Sequence, residues 1–256
     1  MNRVFLELND ISKHHKGMAA LDHVSLSIKT GTFVALVGPS GSGKTSLLKA
    51  INRLIEPDEG SVTIDGVEVR QVPVAALRRA IGYAFQGIGL FPHMTVAENI
   101  ALVPRLTGIA EAQRAARVAE LLDLVALPQD FAPRYPHALS GGQAQRVGLA
   151  RALAAQPRLM LMDEPFGALD PVTRDELGAA YRALHDRLGL TTIMVTHDIS
   201  EALLLADRIV VLIAGTIRAD APPATLIGGH DDPAVQALID VPKRQAARLA
   251  ALGQRS

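Results

Sequence analysis

The sequence predicts an α/β fold: a P-loop core built on a parallel sheet, an N-terminal antiparallel β subdomain, and an inserted helical subdomain. Three observations predict it. The first 70 residues read as short β-rich runs, Leu90 to about Ala155 reads as helix, and from Arg158 strands and helices alternate. Such alternation argues for a parallel sheet, whose ligands sit at the carboxyl ends of the strands.

In chain order, VFLEL, VSLSI, FVALV and SVTIDGVEV are the first strands, separated by turn residues such as Lys29-Thr30-Gly31 and Asp65-Gly66. In EAQRAARVAELLDLVAL, the residues Val118, Leu121, Leu122 and Val125 share one helical face, which marks residues 90–155 as the inserted lobe. LMLM, TTIMV and IVVLIAG are the later strands. Between them lie the helices TRDELGAAYRALHDRL, with Leu177, Tyr181, Leu184 and Leu188 on one stripe, and ISEALLLADR. The last 40 residues, broken by Pro222, Pro223, Pro233 and Pro242, are expected to be short helical pieces ending in the basic, amphipathic KRQAARLAAL.

Composition excludes several classes. The 26 basic and 26 acidic residues among 256 cancel, so nothing marks a nucleic-acid partner, and the absence of cysteine excludes disulfides and thiolate metal sites. The N-terminus MNRVFLELNDISK has no apolar signal core, so no export is expected. The longest run free of formal charge, Ala80 to Ala97, is broken by glycine, proline, glutamine and histidine, whereas a bilayer span needs about 20 predominantly apolar residues.

The strongest chemical signal follows FVALV. In GPSGSGKTS, the residues Gly38, Pro39, Ser40, Gly41, Ser42, Gly43, Lys44, Thr45 and Ser46 stand between a strand and a helix, the context a phosphate-binding loop requires. Its glycines let successive N–H groups turn inward, and the helix start adds roughly half a positive charge. Lys44 is expected to reach the β and γ phosphates of a nucleotide, and Thr45 to sit on Mg²⁺. LMLM runs into Asp163, expected to hold Mg²⁺, and Glu164, expected to polarise the attacking water; the bland alternative is an acidic turn. His197 ends TTIMVTHD and is placed to meet the γ-phosphate, or is a plain loop histidine. Gln86, at the end of IGYAF, is a candidate for Mg²⁺ or water. The stretch LSGGQ, with Ser140, Gly141, Gly142 and Gln143, sets glycines before a helix, either as a second set of N–H donors or as an ordinary cap.

GPSGSGKTS, Gln86, LSGGQ, LMLMDEP, GALD and VTHD, in this order, resemble the ATP-binding subunit of an ABC transporter over about residues 4–220. The resemblance implies that two copies pair head to tail, so that Ser140 to Gln143 of one copy face the ATP held by the other. Asp170 of GALD would lie at their seam. Closing on ATP and opening after hydrolysis would then drive attached membrane subunits. The family's adenine-stacking aromatic is replaced by His15 in ISKHHKG, with a solvated turn as the alternative.

The segment QGIGLFPHMTVAENIALVPRL is where the family docks its permease. Leu90, Phe91, Pro92 and Met94 form either that apolar lip or lobe core. Together with DEPFGALDPVTR and PKRQAARLAAL it is similar to bacterial importers of osmoprotectants: glycine betaine, choline, carnitine and other quaternary amines. The chain is thus expected to act as a peripheral subunit at the cytoplasmic face of the membrane, with an indirect solute-binding partner, no nucleic acid, and a tail over 221–256 lacking a regulatory domain. Importers of amino acids or sulfonates share every catalytic residue and remain open, as does a soluble ABC ATPase without a membrane partner.

Overall fold

The computed structural model describes residues 3–85 and 89–253. Strands β1 (Val4–His15) and β2 (Met18–Lys29) form a long hairpin whose two-residue turn, Lys16-Gly17, has φ of 50° and 82°. Positive φ at both turn residues matches the right-handed twist of the flanking strands. Strand β3 (Phe33–Val37) leads through the glycine loop into helix α1 (Lys44–Ile51). Strands β4 (Glu59–Ile64) and β5 (Val67–Glu68) then close a second tight hairpin at Asp65-Gly66. These strands make a four-stranded antiparallel sheet in the order β2-β1-β4-β5. SVTIDGVEV is therefore two strands and a turn, and VFLEL is the start of a strand that continues to His15.

Helix α2 (Val74–Ala80) and strand β6 (Ile81–Ala84) precede the helical segment, which holds α3 (Val96–Leu106), α4 (Glu111–Leu124) and α5 (Gly141–Leu153). Val118, Leu121, Leu122 and Val125 are buried as their spacing predicts. The chain then alternates through β7 (Leu159–Asp163), α6 (Pro171–Leu188), β8 (Thr191–Val195), α7 (Ile199–Leu205), β9 (Arg208–Ile213) and β10 (Thr216–Ala221). It ends in α8 (Pro223–Gly228) and α9 (Pro233–Gly253). The tail is not a set of short pieces: α9 runs through Pro242 and gives up the backbone bond that proline cannot donate. On α6 the buried stripe is Leu177, Tyr181, Leu184 and His185, while Leu188, in the last turn, is exposed.

The second sheet has the order β10-β9-β3-β8-β7-β6, parallel except for the edge strand β10. Every residue of β3, β7 and β8 is buried, as expected where both faces of a parallel sheet are covered. Period-2 alternation divides them between two cores. Val34, Leu36, Leu161, Ile193 and Val195 face the antiparallel sheet and α1, whereas Phe33, Ala35, Met160, Met162 and Met194 face the other helices. Burying one large apolar side chain stabilises the fold by about 1.5–3 kcal/mol, so both layers are strongly held. Leu36, Val195 and Asp163 stand in one register row across β3, β8 and β7, so three functional loops leave the sheet at one level.

Candidate functional site

At that shared edge the glycine loop is shaped by close approach. A Cβ on Gly38, whose φ is 148°, would lie 2.0 Å from the Leu212 carbonyl oxygen; one on Gly43, at φ 100°, would lie 2.1 Å from that of Ala20. Only glycine fits either position, and the loop is wedged between β2, β9 and the turn at Gly215, whose N–H donates to the Ser42 carbonyl at 3.1 Å. No side chain caps α1, so the N–H groups of its first turn are left for an anion.

Lys44 Nζ donates to the carbonyls of Gly38 and Pro39, both at 2.8 Å, and to Ser42 Oγ at 3.3 Å. Burial lowers its pKa, against the opposing pull of Glu164 and Asp163. Its partners are neutral oxygens, so a phosphate oxygen would add the attraction of an opposite charge that the loop itself does not supply. Next to it, Thr45 Oγ1 donates to Asp163 Oδ1 across 3.1 Å. Burial raises the Asp163 pKa, opposed by the Thr45 bond and then by Lys49 and Lys44, while Glu164 adds to the rise. A hydroxyl and one carboxylate fit Mg²⁺, which takes one or two protein carboxylates plus phosphate oxygens. Among the described residues no cluster of three or more His, Cys, Asp or Glu stands ready to hold a metal by itself.

Glu164 adopts φ of 49°, uncommon for a residue with a side chain, and its N–H donates to the Val195 carbonyl at 3.0 Å. The turn directs its carboxylate to His197, whose Nδ1 lies 3.3 Å from Glu164 Oε1. Thr196 N–H donates to the Leu36 carbonyl at 3.3 Å, tying the loop of His197 to the strand that leads into the glycine loop.

Ser140 caps α5: its Oγ accepts from Gln143 N–H at 3.3 Å, and Gln143 Oε1 accepts from Ser140 N–H at 2.9 Å. Gly141 is open, while a Cβ on Gly142 would meet Leu169 at 3.2 Å. Among the described residues no hydrogen bond or ion pair joins Ser140 to Gln143 with the loop 38–46. Asp170 caps α6 through Thr173 N–H at 3.0 Å, and that bond lowers its pKa. His15 is exposed at the end of β1, opposite Met18 in the hairpin that carries Ala20 onto Gly43. Gln86 lies outside the described residues.

Phe91 is exposed beside a groove of about 340 Å³ lined by Leu54, Tyr83, Phe85, Leu102 and Arg151. The fully buried Asn99 holds the Phe91 to Thr95 turn, donating to the carbonyls of Phe91, Met94 and Thr95 and accepting from Phe91 N–H. Phe91 thus lies at the surface and not in the lobe core.

Two residues about the Glu164 loop escape sequence reasoning. Gln145 bonds the Glu164 carbonyl and Ala168 N–H, and Arg174 bonds the Leu169 carbonyl at 3.2 Å and Asp198 at 3.5 Å. Gln145 lies two positions beyond LSGGQ, and that proximity is its one sequence signal.

Residues 21–167 match the family described as ABC transporter. The chain is 50% identical over 235 residues to the choline transport ATP-binding protein OpuBA of Bacillus subtilis (strain 168), covering 91% of this chain and 62% of that protein. It is 49% identical over 222 residues to the glycine betaine uptake system ATP-binding protein YehX of Escherichia coli (strain K12), covering 87% and 72%. It thus spans less than two thirds of several curated relatives. Its fold is similar to the dimeric ATP-binding cassette MJ0796, solved in a post-hydrolysis state with ADP and Pi, with a TM-score of 0.79, 35% identity, and coverage of 85% and 98%.

Proposed function

The chain belongs to the ABC transporter family, and on that premise we propose that it is the ATP-hydrolysing subunit that energises import of a small polar solute through separate permease subunits. The observation that carries this reading is the meeting of Lys44, Thr45, Asp163, Glu164 and His197 at the carboxyl edge of three adjacent strands. Residues 4–220 form the cassette in this reading, and 221–256 a helical tail.

Each residue has a distinct task. The loop N–H groups and Lys44 bind the phosphates of ATP, the reaction's substrate; Thr45 and Asp163 would hold Mg²⁺, which would offset charge developing on the transferred group. Glu164 accepts the proton of the attacking water. His197, 3.3 Å away, fixes the direction of that carboxylate and faces the γ-phosphate. Gln86 retains its proposed place beside Mg²⁺ or water. His15 stacks on adenine from the hairpin tip.

Ser140, Gly141, Gly142 and Gln143 complete the site of a second copy, with Asp170 at the seam. The open Gly141 at the start of α5 suits that role, and a relative of similar fold was solved as a dimer. The groove lined by Phe85 and beside Phe91 receives a permease segment, which puts the subunit at the cytoplasmic face of the membrane. Among the described residues no helix is long and apolar enough to cross it.

The solute is a quaternary-amine osmoprotectant such as glycine betaine or choline, supported by the transport names of OpuBA and YehX. The test is uptake of labelled glycine betaine at high external salt in source cells whose own copy is replaced by wild type or Glu164→Gln. Loss of uptake in the mutant alone is expected. Equal uptake, with redundant importers deleted, would refute the substrate assignment.

A further inference from the structure

We propose that Gln145 is a positioning residue that clamps the Glu164–Ala168 segment onto the helix presenting Ser140 and Gly141, so that the two half-sites carried by one chain move as a unit. The proposal rests on the roles given above to Glu164 and to Ser140–Gly142. Gln145 itself touches neither nucleotide nor water.

Both ends of its amide are used. Nε2 donates to the Glu164 carbonyl at 2.8 Å, and Oε1 accepts from Ala168 N–H at 3.0 Å. An amide has one donor end and one acceptor end, so the two partners fix which way it faces. Within the clamped segment, Gly167 N–H closes a turn on the Glu164 carbonyl at 3.2 Å, and Phe166 is buried beneath it.

Glu164 needs such support. Its φ of 49° is sparsely populated by residues with a Cβ and persists only where the surroundings over-determine it. One peptide group is held by Val195 and the next by Gln145, so two bonds from different elements aim the carboxylate toward His197. The same helix leans on the segment again at Gly142, where an added Cβ would be 3.2 Å from Leu169. A shift of the α5 start on engaging a second copy's nucleotide is therefore passed to the carboxylate of the chain's own site. Asp170, two positions after the segment, is carried with it.

Gln145→Leu keeps the bulk and removes both bonds. Gln145→Glu offers donor and acceptor when protonated but only acceptors when ionised. The full chain is assayed for ATPase activity, for affinity toward a fluorescent ATP analogue, and for amide exchange around Ala168. In Gln145→Leu, kcat is expected to fall at least about tenfold while analogue affinity stays within about twofold, because positioning acts on the chemical step. Exchange at Ala168 should quicken with β7 still protected. Gln145→Glu should recover activity relative to wild type as pH falls toward about 5, since acid begins to protonate a carboxyl whose ordinary pKa is about 4.3 and so restores its donor; a mere packing role gives no such limb.

Wild-type kcat in Gln145→Leu, unchanged exchange at Ala168, or affinity falling in step with kcat would each overturn the clamp. A wild-type chain that binds no analogue would instead overturn the nucleotide reading, and the exchange result would still judge the clamp by itself.

Discussion

His197 Nδ1 stands 3.3 Å from Glu164 Oε1, and each residue leaves the carboxyl end of a fully buried strand, β8 and β7 respectively. The pair is held by backbone on both sides, so substitution of either side chain removes chemistry without removing the fold. Glu164→Gln should retain ATP affinity and lose about 10²–10⁴-fold in kcat, the usual contribution of a positioned base. His197→Ala should lose less, on the order of 10-fold or more, because the carboxylate remains and only its direction is freed. Steady-state hydrolysis beside equilibrium binding checks both. A Glu164→Gln protein that hydrolyses ATP at the wild-type rate would take that residue out of the base role.

The glycine loop fails in two distinguishable ways. Lys44→Ala leaves the loop backbone in place and removes the cation, so ATP affinity should fall while thermal stability holds. Gly43→Ala sets a methyl 2.1 Å from the Ala20 carbonyl at a φ of 100°, so it should lower stability and affinity together. Calorimetric melting beside nucleotide titration separates them.

Ser140→Arg loses the α5 cap, which costs about 1 kcal/mol, and places a bulky cation where a second copy's nucleotide is expected. Binding of ATP to the isolated chain should be unchanged, since no contact joins Ser140 to the loop 38–46 among the described residues. Pairing should be lost. Gel filtration with ATP in a Glu164→Gln background is the readout, and a stable ATP-dependent dimer carrying Ser140→Arg would contradict the shared site.

Strand ends were the legible part of this chain, because an apolar run stopping at Gly38, Asp163 or His197 marks where a buried strand reaches solvent. The helix face of Val118, Leu121, Leu122 and Val125 was legible for the same reason: burial writes itself as periodicity. Strand β10, TIRADA, left no such trace. Its one fully buried side chain is Ala219, with Ile217 and Ala221 half-buried against the cores, and its pairing to β9 runs through backbone bonds, which are blind to side-chain pattern. The second half of β1 was hidden likewise, since Asp10, His14 and His15 are exposed and the buried Ser12 is polar. Gln145 was invisible because its partners are backbone atoms 19 and 23 positions away, a relation that only tertiary packing creates.

Behind the sheet, Tyr181 Oη, Thr192 Oγ1 and His185 form a buried chain with separations of 2.8 Å and 2.9 Å, ending where His185 Nε2 meets the Gly31 carbonyl at 3.3 Å. The carbonyl requires an N–H, so Nε2 carries the proton, Nδ1 accepts from Thr192, and Thr192 accepts from Tyr181. Every group is satisfied only while the imidazole is neutral. Burial, and then the charge of Arg182, lower the His185 pKa, outweighing the Gly31 bond and the acids Asp207 and Asp186. The folded pKa is therefore below the unfolded value of about 6.5, and the unfolded chain binds the proton first as pH falls. The stability supplied by this network is complete above about pH 6.5 and declines below it, toward the folded pKa. His185→Gln keeps a donor and an acceptor but does not titrate. Denaturant unfolding should show wild type losing more stability than His185→Gln between about pH 7 and pH 5.5, with parallel curves above that range. Curves that stay parallel throughout would mean that His185 does not set the acid limit of the fold.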